Sequence, residues 1–163
     1  MAAPDVVIRT PGPDDAAALA ALHLDCWDDA YSGLVPQRIL DERRAAFDER
    51  VERWRERLAE EGTTLVAEDG TGMVGFVNAG PGRDNDVDVD LELRALYVRA
   101  AWWGTGLGHL LFERAVGDRA AYLWVLADNA RAVRFYERQG FRLDGTREER
   151  DMGVQARMVR AGT

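Results

Sequence analysis

Between Ala95 and Gly108 the chain passes from a continuously apolar run, Ala95-Leu96-Tyr97-Val98, through two tryptophans into Trp103-Gly104-Thr105-Gly106-Leu107-Gly108. A helical segment follows, from about Gly106 to Gly117. A strand that leaves the interior through a glycine turn and becomes a helix commits the chain to a sheet with a covering helical layer. Upstream, Asp84–Val98 reads as one long strand. Asp86, Asp88, Asp90, Glu92 and Arg94 fall on one side of it, and Val87, Val89, Leu91 and Leu93 on the other. Downstream, Ala121–Leu126 reads as a strand and Asn129–Gln139 as a helix ended by Gly140. Phe141–Leu143 and Val154–Arg160 read as two further strands.

The first half supplies the remaining elements. Val6–Arg9 is a short β-branched strand, stopped by Pro11-Gly12-Pro13. A helix starts at Asp14 or Asp15 and runs to about Asp25, which leaves Trp27, Tyr31 and Gly33 in a loop or irregular helix. Pro36 opens a second helical segment. Asp41 to Glu61 is charged and helical, and Phe47, Val51, Trp54 and Leu58 form a core-facing stripe along it. Thr63–Glu68 and Met73–Ala79 pair as a hairpin around Asp69-Gly70-Thr71-Gly72, and Gly80-Pro81-Gly82 breaks the second strand. No repeat or linker divides the chain, so residues 1–163 form one mixed α–β domain with about seven strands and helices on both faces.

Composition removes several function classes. A net charge of −8 opposes nucleic-acid binding, which depends on neutralising phosphates. All 21 basic residues are arginine, so neither a Schiff-base lysine nor a Walker-type lysine is present. Cys26 is the only cysteine; it is read as a buried, inert side chain rather than a nucleophile, although His23 lies one helical turn before it. His23 and His109 have no evident partner, and no His/Asp/Glu spacing suggests a metal site. Met1-Ala2-Ala3-Pro4-Asp5 lacks a basic region and an apolar signal core, and no apolar run approaches a membrane span, which predicts a cytoplasmic chain with no membrane partner.

The glycine turn sits where backbone N–H groups at a helix N-terminus can hold an anion. A dinucleotide fingerprint counted from Gly104 would need its last glycine at the position of His109, and a Walker loop needs the missing lysine. A phosphate-bearing cofactor of another kind remains. The second constellation is Asn129, Ala132, Phe135, Tyr136, Gly140 and Phe141, in the spacing N-x-x-A-x-x-F-Y-x-x-x-G-F. This signature, placed after a strand, glycine turn, helix and strand, resembles the GNAT superfamily of N-acetyltransferases. The family's turn is written R/Q-x-x-G-x-G/A; here Gly106 and Gly108 match and Trp103 departs from the first position. The resemblance covers almost the whole chain, more weakly before residue 90.

The resemblance implies a three-layer α–β–α fold with a twisted, mostly antiparallel sheet and one splayed parallel pair. It implies acetyl-CoA as donor, no metal, and transfer to a primary amine by direct attack in a ternary complex. Backbone groups of Leu96, Tyr97 and Val98 would hold the pantetheine arm and the acetyl carbonyl. Trp103, Gly104, Thr105, Gly106, Leu107 and Gly108 would cradle the pyrophosphate through backbone amides, with Trp102 and Trp103 packing or anchoring the loop. Phe135 would line the cofactor site. Asn129 is either a pantetheine ligand or a helix N-cap. Tyr136 would protonate the departing thiolate, or it is a packed helix tyrosine. Glu92 would take the amine's proton, directly or through a water, with Asp90 as its alternate, or this acidic row is a solvated strand face. Trp27, Tyr31 and Asp90 would contact the acceptor, or the two aromatics pack the first helices onto the sheet. The acidic balance favours a cationic small amine over a protein as acceptor, and the resemblance allows a homodimer. A non-catalytic acyl-CoA-binding or regulatory module, or an acyltransferase using a longer acyl-CoA, stand as alternatives.

Overall fold

Apolar residues occur on both faces of the central strands, so the sheet must be covered on both sides. In the computed structural model, which describes residues 5–162, seven strands form one sheet in the order β1-β2-β3-β4-β5-β7-β6. The strands are β1 (Val7–Arg9), β2 (Thr63–Asp69), β3 (Gly72–Pro81), β4 (Leu91–Val98), β5 (Ala121–Leu126), β6 (Arg142–Arg150) and β7 (Gly153–Arg160). The helices are α1 (Ala16–Tyr31), α2 (Gln37–Ala45), α3 (Phe47–Ala59), α4 (Leu107–Ala115) and α5 (Ala130–Arg138). Every pairing is antiparallel except β4 with β5.

The two faces bury separate cores. Leu107, Leu111 and Phe112 of α4 pack with Val77, Leu93, Leu123 and Val125, and Phe135 and Tyr136 of α5 join them. On the other face Leu19 and Cys26 of α1 and Val51 and Trp54 of α3 pack with Val66, Phe76 and Ala95. The stripe Phe47, Val51, Trp54 and Leu58 belongs wholly to this second core, as its spacing predicted. Burial pushes the Cys26 thiol up to about 12, which keeps it protonated and unreactive. His23 sits among Trp27, Trp54, Phe76 and Tyr97, and desolvation holds its imidazole well below the ordinary value. Among the described residues, no helix is long and apolar enough to cross a membrane.

Four boundaries differ from the sequence reading. Helix α1 continues through Trp27 to Tyr31, so both aromatics stand on a helix rather than in a loop. The charged helix is two helices, parted at Ala46, whose N–H bonds back to the Glu42 and Arg43 carbonyls; no glycine or proline marks that break. Strand β6 extends to Arg150, since its solvent-exposed positions carry no apolar alternation to reveal it. The largest correction is at Asp84–Asp90, which is a loop rather than the start of a strand. The Gly82 N–H donates to the Asp90 carbonyl at 2.7 Å and closes the loop.

A buried cation explains that loop. Arg157 on β7 is only 4% exposed, and its guanidinium bonds Asp84 at 2.9 Å, Asp86 at 2.6 Å and Asp144 at 2.6 Å. Two of the alternating aspartates, Asp84 and the still exposed Asp86, thus serve as counter-ions to a residue of β7. Replacing Arg157 by Met should leave these carboxylates without their shared partner and lower stability by about 3 kcal/mol. Urea unfolding at neutral pH measures this, and a loss below about 1 kcal/mol would be that of a surface pair.

Candidate functional site

The parallel pair β4–β5 has one register match, Glu92 with Tyr122, and the strands separate beyond it. Upstream of the gap, β3 and β4 lose step: Asn78 faces Ala95 and Ala79 faces Leu93, which leaves Arg94 as an extra residue on β4. Such a bulge bends a strand and raises its twist. Its effect on side chains is direct. Leu93 and Leu96 both serve the α4 core, whereas Ala95 and Tyr97 serve the α1 core. From Leu93 to Val98 the edge of β4 that faces β5 lacks a strand partner, so its N–H and C=O groups, apart from the Val98 carbonyl that the Trp103 indole engages, are available to an extended ligand.

The gap is a cleft of about 450 Å³. Leu93–Val98 and Trp124–Leu126 form its two strand walls. Gly108 and Trp103 line it from the start of α4, and Asn129, Arg131, Phe135 and Tyr136 from α5. Trp27 and Tyr31 close the α1 side, with Arg150, Met152 and Gln155 from the β6–β7 hairpin.

The glycine turn is built for backbone presentation. Gly104 and Gly106 have φ of +75° and +92°, a region that side-chain-bearing residues avoid. The Thr105 hydroxyl donates to the Trp102 carbonyl at 2.6 Å and pins the turn. Helix α4 then begins at Leu107 with first-turn N–H groups that have no intrahelical partner. Gly104, Thr105, Gly106 and Leu107 shape this turn rather than line the cleft itself. Trp103 acts as an anchor: its indole N–H donates to the Val98 carbonyl at 3.2 Å, and the Arg131 guanidinium lies 3.7 Å over its ring.

Asn129 caps α5 by accepting the Ala132 N–H at 3.2 Å, and it also lines the cleft, so its two readings are compatible. Tyr136 packs against Phe135 and Phe141 and faces the cleft. Burial, with Tyr97 adding to it, pushes its phenol well above the ordinary value, against the pull of Arg131. The hydroxyl therefore keeps its proton at neutral pH. Tyr31 and Tyr97 share a 2.8 Å hydrogen bond between hydroxyls, and Trp27 packs edge-on against Tyr31.

Glu92 is 2% exposed and stands at the closed end of the cleft. Its Oε1 accepts from the Arg83 backbone N–H, Arg83 Nε and the Tyr122 hydroxyl, and its Oε2 from Arg83 Nη2 at 2.7 Å. Burial alone would raise this carboxyl; the Arg83 guanidinium outweighs it and holds the group below its ordinary value. It is an ionised, largely engaged carboxylate rather than a solvated strand residue. Asp90, the alternate, is exposed in the preceding loop and lies outside the cleft. Arg83, Tyr122 and Arg131 were absent from the sequence reading. Arg83 and Tyr122 reach the site from segments whose local spacing carries no such signal, whereas Arg131 lies on α5 at a variable position of the signature itself.

The sequence profile of the acetyltransferase (GNAT) domain matches residues 60–143. A probable N-acetyltransferase of Mycobacterium tuberculosis is 28% identical over 145 residues, 86% of this chain and 82% of its own. An uncharacterised N-acetyltransferase of Bacillus subtilis is 27% identical, over 81% of this chain and 78% of its own. In fold, the chain is similar to the PaiA N-acetyltransferase of Thermoplasma acidophilum, solved in complex with coenzyme A. That match has a TM-score of 0.76 and 18% identity, and covers 97% of this chain and 99% of that one. A GCN5-related N-acetyltransferase of Rhodopseudomonas palustris also scores 0.76, at 20% identity over 99% and 98%.

The buried Glu92 carboxylate gives this site a measurable signature. Its folded pKa is depressed, so the ion pair contributes stability above the unfolded value of about 4.3 and loses it as pH falls through the folded value. Arg83→Met should lower stability at pH 7 by about 2 kcal/mol, less than for a fully buried pair because Arg83 is 60% exposed. The difference from the parent should shrink on titration towards pH 4, where the unpaired carboxyl is protonated. A pH-independent difference would show that Arg83 contributes packing rather than charge.

Proposed function

The chain belongs to the acetyltransferase (GNAT) family, and on that footing we propose that it transfers an acetyl group from acetyl-CoA to a primary amine by direct attack in a ternary complex. The observation that carries this reading is the open edge of β4 facing Tyr136 across a cleft that ends at the α4 N-terminus. An extended pantetheine would add to the free edge of Leu96–Val98, as a peptide adds to a sheet. The pyrophosphate would meet the amides that Gly106 and Gly108 present at the head of α4. A backbone N–H of the free edge would donate a hydrogen bond to the acetyl oxygen and stabilise the negative charge developing there.

The amine nitrogen attacks the thioester carbon, the C–N bond forms and the C–S bond breaks. Tyr136, protonated at neutral pH, gives its proton to the leaving sulfur. The nitrogen's surplus proton passes to solvent through a water held by Glu92. The carboxylate Oε2 takes only one hydrogen bond, so it retains accepting capacity for that water. Its depressed pKa suits a positioning and electrostatic role better than direct abstraction. Trp27 and Tyr31 form the acceptor side of the cleft, and Asp90 takes no part. The buried, protonated Cys26 offers no covalent route.

Incubating the protein with acetyl-CoA and a panel of small amines should release free thiol in an amine-dependent manner. Cys26 is buried and will not contribute background. Tyr136→Phe should lower kcat by about a hundredfold while leaving the KM for acetyl-CoA nearly unchanged. Unchanged kcat would remove Tyr136 from proton transfer. Tight acetyl-CoA binding without thiol release to any amine would favour a binding module over an enzyme.

A further inference from the structure

A second cavity, of about 390 Å³, opens beside the cleft and shares Trp27, Arg150 and Met152 with it. Its remaining walls come from α2 and α3, which supply Arg43, Arg50 and Arg53. Several arginines of this acidic chain have carboxylate partners: Arg9, Arg44, Arg83, Arg99 and Arg157 are in ion pairs. Arg43, Arg50 and Arg53 are not, among the described residues. The Nε and Nη2 atoms of Arg43 and the Nε of Arg50 are buried with no hydrogen-bond partner. Buried guanidinium N–H groups left unpaired are costly.

The cavity also has acidic members. Glu42, Glu49 and Asp151 line it, but all three are exposed, and Glu42 leans to Arg38 at 3.6 Å. None of them is within salt-bridge distance of Arg43 or Arg50 among the described residues. The Arg43 guanidinium carbon lies 3.3 Å from the Trp27 ring centroid, which holds the side chain against the ring. Burial and the neighbouring Arg50 push the Arg43 guanidinium down to about 10, a cost that a bound anion would relieve. Arg43 is therefore preorganised, charged at neutral pH and short of an oxyanion.

We propose that the Arg43–Arg50 cavity binds a carboxylate or phosphate group of the acceptor, so that the substrate is a small amine carrying its own oxyanion. This rests on the acetyl-transfer reading for the amine end of the same molecule. Trp27, Arg150 and Met152 line both cavities, so an acceptor whose amine enters the cleft would have its anionic group directed to the neighbouring arginines. Net charge favours a cationic small amine, and the arginines at this end of the cleft add a local requirement for an anionic group on the same molecule.

The test uses matched acceptors: amino acids, the corresponding amino-acid amides, and 2-aminoethyl phosphate. With acetyl-CoA, the acids or the phosphate should exceed the amides by about a hundredfold in kcat/KM, mainly through KM, as expected for a charged hydrogen-bonded contact. Which of the two anions wins identifies the oxyanion. Arg43→Gln should bring that preference to within a few-fold of unity, and Arg43→Lys should restore part of it. Arg50→Gln, on a different helix, should weaken it independently if Arg43→Gln fails to fold. Equal use of acids, phosphate and amides by the parent protein, or a preference that survives in both glutamine variants, would overturn the proposal. A second readout omits acetyl-CoA: quenching of Trp27 fluorescence on titration with the same compounds. Anion-dependent quenching that Arg43→Gln abolishes, with no thiol released from acetyl-CoA, would keep the anion site and reject the transferase reading. Thiol release without any anion dependence would do the reverse.

Discussion

The clamp at Glu92 and Tyr122 is the constraint on which the site depends. It is the one place where β4 and β5 meet, and it holds the closed end of a gap that would otherwise continue as a sheet. Arg83 and the Tyr122 hydroxyl converge on the Glu92 carboxylate from two other segments. Tyr122 also accepts the Asp84 N–H at 2.8 Å, so the loop before β4 is tied to the same point. Gly82 permits this approach, because a side chain there would meet the Tyr122 ring at 2.8 Å. Beyond the clamp, with an extra residue at Arg94, the edge of β4 has no strand partner. The cleft is a consequence of strand geometry, and the side chains decorate it.

Charge is distributed with a purpose that totals conceal. The protein carries −8, yet much of its acidity is spent internally on arginines. Arg157 draws three aspartates onto the sheet, and Arg83 engages Glu92. Arg9 links Asp15 with Glu68 and ties the first strand to the second. The arginines of α2 and α3 that face the second cavity stand apart from this pattern. Arg43 and Arg50 are distinguished by lining a cavity beside the cleft while holding buried N–H groups with no hydrogen-bond partner.

Much of the fold was legible in local pattern. The stripe on α3 and the hairpin of β2 and β3 follow from periodicity and turn chemistry. So does the strand–turn–helix passage through Gly104 and Gly106, whose positive φ values explain why glycine stands at both. Asn129, Phe135 and Tyr136 reach the cleft because helix spacing carries them there together with the cap. Local pattern failed where a distant group intervened. Asp84, Asp86 and Asp88 alternate as a strand would, but they lie in a loop in which Arg157, 73 residues away from Asp84, bonds Asp84 and Asp86. Asp90 belongs to the same loop, with its carbonyl accepting the Gly82 N–H, and so does not share a strand face with Glu92. The hidden break at Ala46 places Arg43 and Arg50 on two helices that flank one cavity.

The sequence by itself determined the layers, the helix that follows the glycine turn and the family signature at Asn129–Phe141, because these rest on contacts between near neighbours along the chain. Only the tertiary structure decided where β4 and β5 part, which carboxylates are held by arginines, and which arginines are left waiting beside the cleft. Those outcomes depend on groups brought together from distant segments, whose desolvation and pairing have no counterpart in local spacing.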